Sequence, residues 1–291
     1  MSSVARDDHP GRYRTVIGGE WNCPLVPHGG LVTAVAAQAM GLELGNPSQR
    51  LRSITAVFAG QVQPGEVEVD VTVLRQGRSM SQLTATIRNV DAPAGHTSIA
   101  VFGQERPGFE FTELVAPDAP PPELCPSFRE RGPGSDERPH FNFWDHVEGR
   151  AVEGHAPWEE YVPTTAQCAS WYHFDEPPFL DDGVLDPLAV LTLCDTMPGA
   201  VGERMGTQGR PWLPPSADLT VHLLADARSE WLVARNRARH AGEGYASVEL
   251  ELWDPAGGLV AYGTQLMVFM FPDGPPEPHL RRPPTEPAPR G

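Results

Sequence analysis

The same order of elements is written twice along this chain. A hydrophobic helical run is followed each time by segments that alternate apolar and polar residues. In the first copy a Gly-Gly turn leads into LVTAVAAQAMGLEL (Leu31–Leu44), whose Ala, Leu and Val recur at helical spacing. SITAVFAGQV, GEVEVDVTVLRQG, SMSQLTATIRN and TSIAVFGQE follow as strands, and Val67, Val69, Val71 and Val73 share one face of the second. In the second copy ASWYHFDEP reads as a strand, and Asp186-Pro187 supplies an N-cap and a first-turn proline for one helix over 187–205. SADLTVHLLA, EWLVARNRARHAG, YASVELELWDPAG and GLVAYGTQLMVFMF are its strands, with Asp254-Pro255-Ala256-Gly257-Gly258 as the hairpin loop between the last two. Ala37-Gln38-Ala39-Met40 aligns with Cys194-Asp195-Thr196-Met197, and VLRQGRSMSQLTATI with RARHAGEGYASVELEL. One long helix followed by antiparallel strands, twice, is an α+β arrangement in which each sheet wraps a helix buried on most sides.

The 32 prolines and 29 glycines of the 291 residues cluster, and the clusters divide the chain. Residues 107–161 are rich in Pro, Gly and acidic residues and read as a connector that touches down at the aromatic HFNFWDHV. Residues 12–106 and 162–271 are the two structured halves, and 272–291 reads as a disordered or polyproline tail. A formal net charge of -16 argues against phosphate-backbone binding and gives no support for an anionic membrane surface. No apolar run approaches the ~20 residues of a membrane span, and the first residues lack the apolar core of a secretory signal. Cys23, Cys125, Cys168 and Cys194 are too scattered for a zinc site or a disulfide scaffold. The plain reading is a cytoplasmic protein with reduced thiols and neither nucleic acid nor membrane as partner.

The chemistry-bearing feature is a carboxylate inside VLTLCDTM (Val190–Met197). Leu188, Leu191 and Asp195 fall on one helical stripe, while Val190, Leu193, Cys194 and Met197 make the other sides apolar. A carboxylate there is partly desolvated and suits a general base or a nucleophile. It could equally cap a kink near Met197-Pro198-Gly199, or pair with an arginine. Gln265 shares a strand face with Gly263 and Met267, where it either orients a water or faces solvent. Ser216 follows Pro214-Pro215 at a strand entrance, as a turn residue or a reacting hydroxyl, with Asp218 two residues on as its partner. The glycines of PHGG (Pro27–Gly30) either turn the chain into the first helix or offer backbone N–H groups to an oxyanion. His173, His222 and His240 are most simply sheet residues. GxSxG, Walker, GxGxxG and HExxH patterns are all missing from the sequence.

Taken together, PHGGLVTAVAAQAM, LTLCDTMPGA, PSADLTVHLL and AYGTQLMVFM resemble, in order and spacing, the acyl-CoA thioesterase II (TesB-like) family. The resemblance covers roughly residues 15–105 and 162–271 and implies a double hotdog fold. Carried over residue by residue, it assigns the catalytic constellation to Asp195, Ser216 and Gln265. It implies cofactor-free hydrolysis of an acyl-CoA to a carboxylic acid and free CoA, with Asp195 activating water, and a homo-oligomer. Ser stands at 216 where better-known members have Thr, and Leu219, His222 and Leu223 replace an expected His and aromatics, which implies a differently shaped acyl pocket. The alternatives are a hotdog that binds an acyl thioester without cleaving it, and an enzyme that dehydrates or cyclises a thioester-bound chain. Hydration is disfavoured, because FLDDGVLDP lacks the histidine of the hydratase loop.

Overall fold

The computed structural model describes residues 4–130, 141–206 and 211–274. Twelve antiparallel strands form one continuous sheet. In chain order they are β1 (Ala5–Arg6), β2 (Arg12–Ile17), β3 (Arg50–Phe58), β4 (Gly65–Gln76), β5 (Met80–Asn89), β6 (His96–Gly103), β7 (Val147–Glu153), β8 (Gln167–Phe174), β9 (Asp218–Leu223), β10 (Leu232–Gly242), β11 (Tyr245–Trp253) and β12 (Leu259–Val268). The helices are α1 (Gly29–Leu44), α2 (Pro187–Leu193) and α3 (Gly199–Met205).

The duplication is visible in the strand order, which runs β1-β2-β4-β5-β6-β3 and then β9-β12-β11-β10-β8-β7. Replacing each strand of the first half by its counterpart six strands later turns one list into the reverse of the other. The two halves therefore meet at β3 and β9, where Thr55 faces Thr220 in the ladder and their hydroxyls lie 3.0 Å apart. The β4–β5 and β10–β11 hairpins occupy equivalent places, as the sequence alignment requires. The Asp254–Gly258 loop closes the β11–β12 hairpin, with the Ala256 N–H donating to the Asp254 carboxylate at 2.9 Å. The hotdog pairing expected from the sequence is the observed architecture.

α1 is apolar around most of its circumference, and from Leu31 to Met40 every residue but Gln38 is buried. The second copy departs from the expected single helix over 187–205. Asp186 caps α2, its carboxylate accepting from the Leu188 N–H at 2.9 Å, but α2 stops at Leu193 and α3 starts at Gly199. Pro198 explains the break: it lacks an N–H, and its ring disfavours helical backbone in the preceding residue. Asp195 thus lies in a tight turn between two short helices.

Segment 107–161 is more than a connector. It supplies β7, which pairs with β8 at the far edge of the sheet. That strand carries few apolar side chains and a central Gly149, so its alternation is faint in the sequence. Upstream, the Trp171 indole N–H donates to the Pro120 carbonyl at 2.8 Å, and Cys125 packs with Trp171, Val233 and Trp253. Of the aromatic touchdown, His140 lies outside the described residues, whereas Asn142–Asp145 form a 3-10 turn. Its Phe143 is fully buried and stacks on His28 at 4.1 Å between ring centroids. Of the expected tail, residues 275–291 lie outside the described residues.

Phe143 therefore ties the connector to the start of α1. Phe143→Ala should cost about 3–5 kcal/mol, the range for emptying a buried aromatic position. A lowered urea midpoint with an unchanged denaturant slope would check it.

Candidate active site

Asp195 is buried at 8% exposure, yet each of its carboxylate oxygens is hydrogen-bonded. Oδ2 accepts the backbone N–H of Gly30 at 2.8 Å. Oδ1 accepts the side-chain amide of Gln265 and, at the longer distance of 3.4 Å, the Ser216 hydroxyl. The same Gln265 amide nitrogen also donates to Ser216 Oγ. The structure thus brings together all three residues singled out in the sequence, from the α2–α3 turn, the segment just ahead of β9, and β12.

Each element positions its residue for a local reason. Ser216 is paired opposite Met267 just ahead of β9, which places its side chain beside Gln265. Asp218 does not partner Ser216 as its spacing suggested; its carboxylate accepts the Leu266 N–H at 2.8 Å and so fixes the end of β12. α1 has no side-chain cap of its own, and Asp195 from the second half satisfies the Gly30 N–H. The approach is close enough to demand glycine: a Cβ on Gly29 would sit 2.7 Å from Asp195 Oδ2, and one on Gly30 2.6 Å from the Thr192 carbonyl. The oxyanion reading of PHGG therefore changes, since the Gly30 N–H is already committed. Gly29 N–H has no acceptor among the described residues.

His28 is the residue the sequence reading passed over. It is the N-cap of α1, and its buried Nδ1 lies 4.0 Å from Asp195 Oδ2 with no hydrogen-bond partner. The PHGG motif is the available signal, since it sets His28 directly before the glycines that open α1. Gln265 Oε1 is a second buried polar atom without a partner. Burial pushes the Asp195 carboxyl above the usual carboxylate range, opposed by His28, Gln265, Gly30 and Ser216. Burial also lowers the pKa of His28, against the pull of Asp195, so the imidazole is held toward its neutral form.

Asp195, Ser216, His28 and Gly29 line a cavity of about 570 Å3 that reaches from Phe58 and His96 to Cys168 and Glu203. Gln265 is not among its lining residues and stands behind Asp195 and Ser216. Leu219, His222 and Leu223 are likewise not part of its wall; Leu219 and His222 belong to the β3–β9 seam. The altered shape expected from those positions therefore does not bear on this cavity. His222 sits on β9, His173 on β8 and His240 on β10, as sheet residues. The four cysteines are free, and burial raises the Cys23 thiol to about 12, with Asp195 adding to the shift. Among the described residues no cluster of His, Cys, Asp and Glu could hold a metal ion, and no helix is long and apolar enough to cross a membrane.

Comparison with known families decides the larger assignment. The profile of the acyl-CoA thioesterase C-terminal domain matches residues 117–269, and that of the N-terminal domain matches residues 17–103. The chain belongs to the acyl-CoA thioesterase family. It is a thioester hydrolase with the double hotdog fold of that family. A hotdog protein of unknown function from Alicyclobacillus acidocaldarius is similar at 25% identity and TM-score 0.77, over 93% of this chain and 96% of that one. An acyl-CoA thioesterase II, TesB2, from Mycobacterium marinum shares the fold at 20% identity and TM-score 0.69, over 93% and 97% of the two chains. A TesB protein from Mycobacterium avium subspecies paratuberculosis does so at 19% identity and TM-score 0.71, over 92% and 96%. Comparison with curated proteins returned no match.

The raised pKa of Asp195 has a sign that stability measurements can read. A carboxyl whose folded pKa exceeds its unfolded value favours the fold below the unfolded pKa, about 3.9, and that contribution is lost as pH rises through the folded value. Asp195→Asn removes the charge and keeps the shape. Its melting temperature relative to wild type should therefore climb as pH rises from about 4, and a difference independent of pH would contradict the assignment of the shift.

Proposed function

We propose that this thioesterase hydrolyses acyl-CoA esters with Asp195 as the general base that activates water. The observation that carries the reading is the convergence of Asp195, Ser216 and the amino end of α1 on one wall of a large cavity. The water oxygen attacks the thioester carbonyl carbon while Asp195 takes its proton, and the carbonyl oxygen becomes an oxyanion. Collapse of that intermediate breaks the C–S bond. The proton returned by Asp195 converts the leaving thiolate to free CoA, and the acid is the other product. No cofactor enters this balance.

The surroundings of Asp195 suit this role. Both its oxygens already accept hydrogen bonds, which fixes the carboxylate plane and leaves the remaining lone pairs for a water proton. The raised pKa makes it a stronger base than an exposed aspartate once it is ionised. The Gly29 N–H, at the positive end of a 16-residue helix, is the donor nearest to hand for the oxyanion. Ser216 Oγ accepts from Gln265, so its own proton is free to orient toward Asp195 or the water. Gln265 acts as a positioning residue, since it touches Asp195 and Ser216 and not the cavity.

Asp195→Asn should retain acyl-CoA binding and lower kcat by about 100-fold or more, the scale of losing a positioned general base. Thiol release measured with a panel of acyl-CoA esters checks this, and equal turnover by variant and wild type would remove Asp195 from the reaction. Gln265→Leu tests positioning separately. It deletes a hydrogen bond that stabilises the carboxylate, so the acid limb of the kcat profile should move to higher pH as well as lower in amplitude. A fall in kcat with an unmoved acid limb would assign Gln265 to packing alone.

A further inference from the structure

The α3 end of the cavity carries a second polar cluster that thioester hydrolysis at Asp195 does not use. Glu203 on α3 is 5% exposed, and both of its carboxylate oxygens are held by one residue. Oε1 lies 2.6 Å from His155 Nδ1, and Oε2 accepts the His155 backbone N–H at 3.1 Å. Gly154 shapes the loop for this contact: its φ is +90°, and a Cβ there would come within 2.7 Å of Glu203 Oε2. A face of the imidazole stacks on Tyr161, with centroids 3.8 Å apart and ring planes 1° from parallel. The Tyr161 hydroxyl in turn donates to the Gly202 carbonyl at 3.1 Å. A carboxylate and an aromatic ring thus fix His155 on two sides.

His155, Tyr161 and Glu203 line the same cavity as Asp195. The imidazole keeps 36% of its side-chain surface accessible and the carboxylate 5%, so a ligand meets the ring and not Glu203. Among the described residues nothing bonds to His155 Nε2. A nucleophilic triad with the neighbouring Cys168 does not fit, because burial raises that thiol to about 12. With Nδ1 directed at the carboxylate, Nε2 is the ring nitrogen left for a ligand. It suits a hydroxyl, which can accept from an Nε2–H or donate to a bare Nε2.

We infer that His155, held by Glu203 and Tyr161, is a specificity site for a hydroxyl group of the thioester substrate, remote from the reacting carbonyl. The inference rests on the acyl-CoA reading above and adds the chemical class that the cavity selects. Two parts of the substrate can supply the hydroxyl: a hydroxylated acyl chain, or the pantoyl unit of the CoA arm.

Binding is measured by calorimetry in an Asp195→Asn background, so that esters are not consumed. Octanoyl-CoA is compared with ω-hydroxyoctanoyl-CoA, with hexanoyl and decanoyl pairs alongside, and with the octanoyl thioester of N-acetylcysteamine, which lacks the pantoyl hydroxyl. The test variant adds His155→Phe with Glu203→Gln, which retains a ring against Tyr161 and leaves no unpaired buried charge. If the acyl chain is the source, the hydroxylated ester binds about tenfold tighter than its parent and the double change erases that ratio. If the pantoyl unit is the source, the preference for CoA over N-acetylcysteamine falls about tenfold in the double variant. Both are ratios on one protein preparation, so a reduced folded fraction cancels. Ratios that the double variant leaves unchanged in both arms would overturn the inference. Hydroxyl-dependent binding without hydrolysis of any ester by wild type would overturn the proposed reaction and leave this site standing.

Discussion

The hydrogen bond from the Gly30 N–H to Asp195 joins the two halves of the chain at the one place where both are needed. α1 belongs to the first half and lacks a side-chain cap, and Asp195 belongs to the second and lies in an apolar turn. Each would be costly alone: an unsatisfied buried N–H on one side, an unpaired buried carboxylate on the other. Together they satisfy each other, and the glycines at 29 and 30 exist in this arrangement because no Cβ fits between them and the turn. The residue that completes the helix is thus the residue proposed to perform the chemistry.

That meeting depends on the sheet. Antiparallel pairing of β3 with β9 sets the halves back to back in one twelve-stranded sheet and brings α1 against α2. The halves share a topology and diverge at the helix. α1 runs unbroken through Gln38, whereas the corresponding helix ends at Leu193 and resumes after Pro198. The interruption gives Asp195 the freedom to face α1, Ser216 and Gln265 at once. An uninterrupted helix would have held it in register with its own turns, as Gln38 is held.

Much of this was legible in the sequence, and the failures have physical causes. The strands of β3–β6 and β8–β12 were readable because most alternate apolar and polar residues, and β8 and β12 are short apolar and aromatic runs. The Asp186-Pro187 start of α2 was readable because capping is a local matter. β7 was hidden, since its buried residues Val147, Glu148, Gly149 and Ala151 include a charged side chain and a glycine and do not alternate cleanly: Glu148 is held by Ser127, Arg129 and Arg150. Asp195, Ser216 and Gln265 were singled out together through the family resemblance, but not the partners that define their roles. The bond to Gly30 spans 165 positions, and the stack of Phe143 on His28 joins the Pro-rich segment to α1. Asp218 shows the converse, where correct spacing on a strand face suggested a partner and the carboxylate served a backbone N–H instead.

The account turns on whether Asp195 activates water or attacks the thioester itself, and both begin from the same carboxylate. A single turnover in heavy-oxygen water, with enzyme in excess over an acyl-CoA, separates them. Activation of water places the heavy oxygen in the released acid during the first turnover, leaves the peptide containing Asp195 at its natural mass, and gives no acylated protein in acid-quenched samples. Heavy oxygen appearing in that peptide, with unlabelled acid released first, would show a covalent acyl-aspartyl route and contradict the role assigned to Asp195.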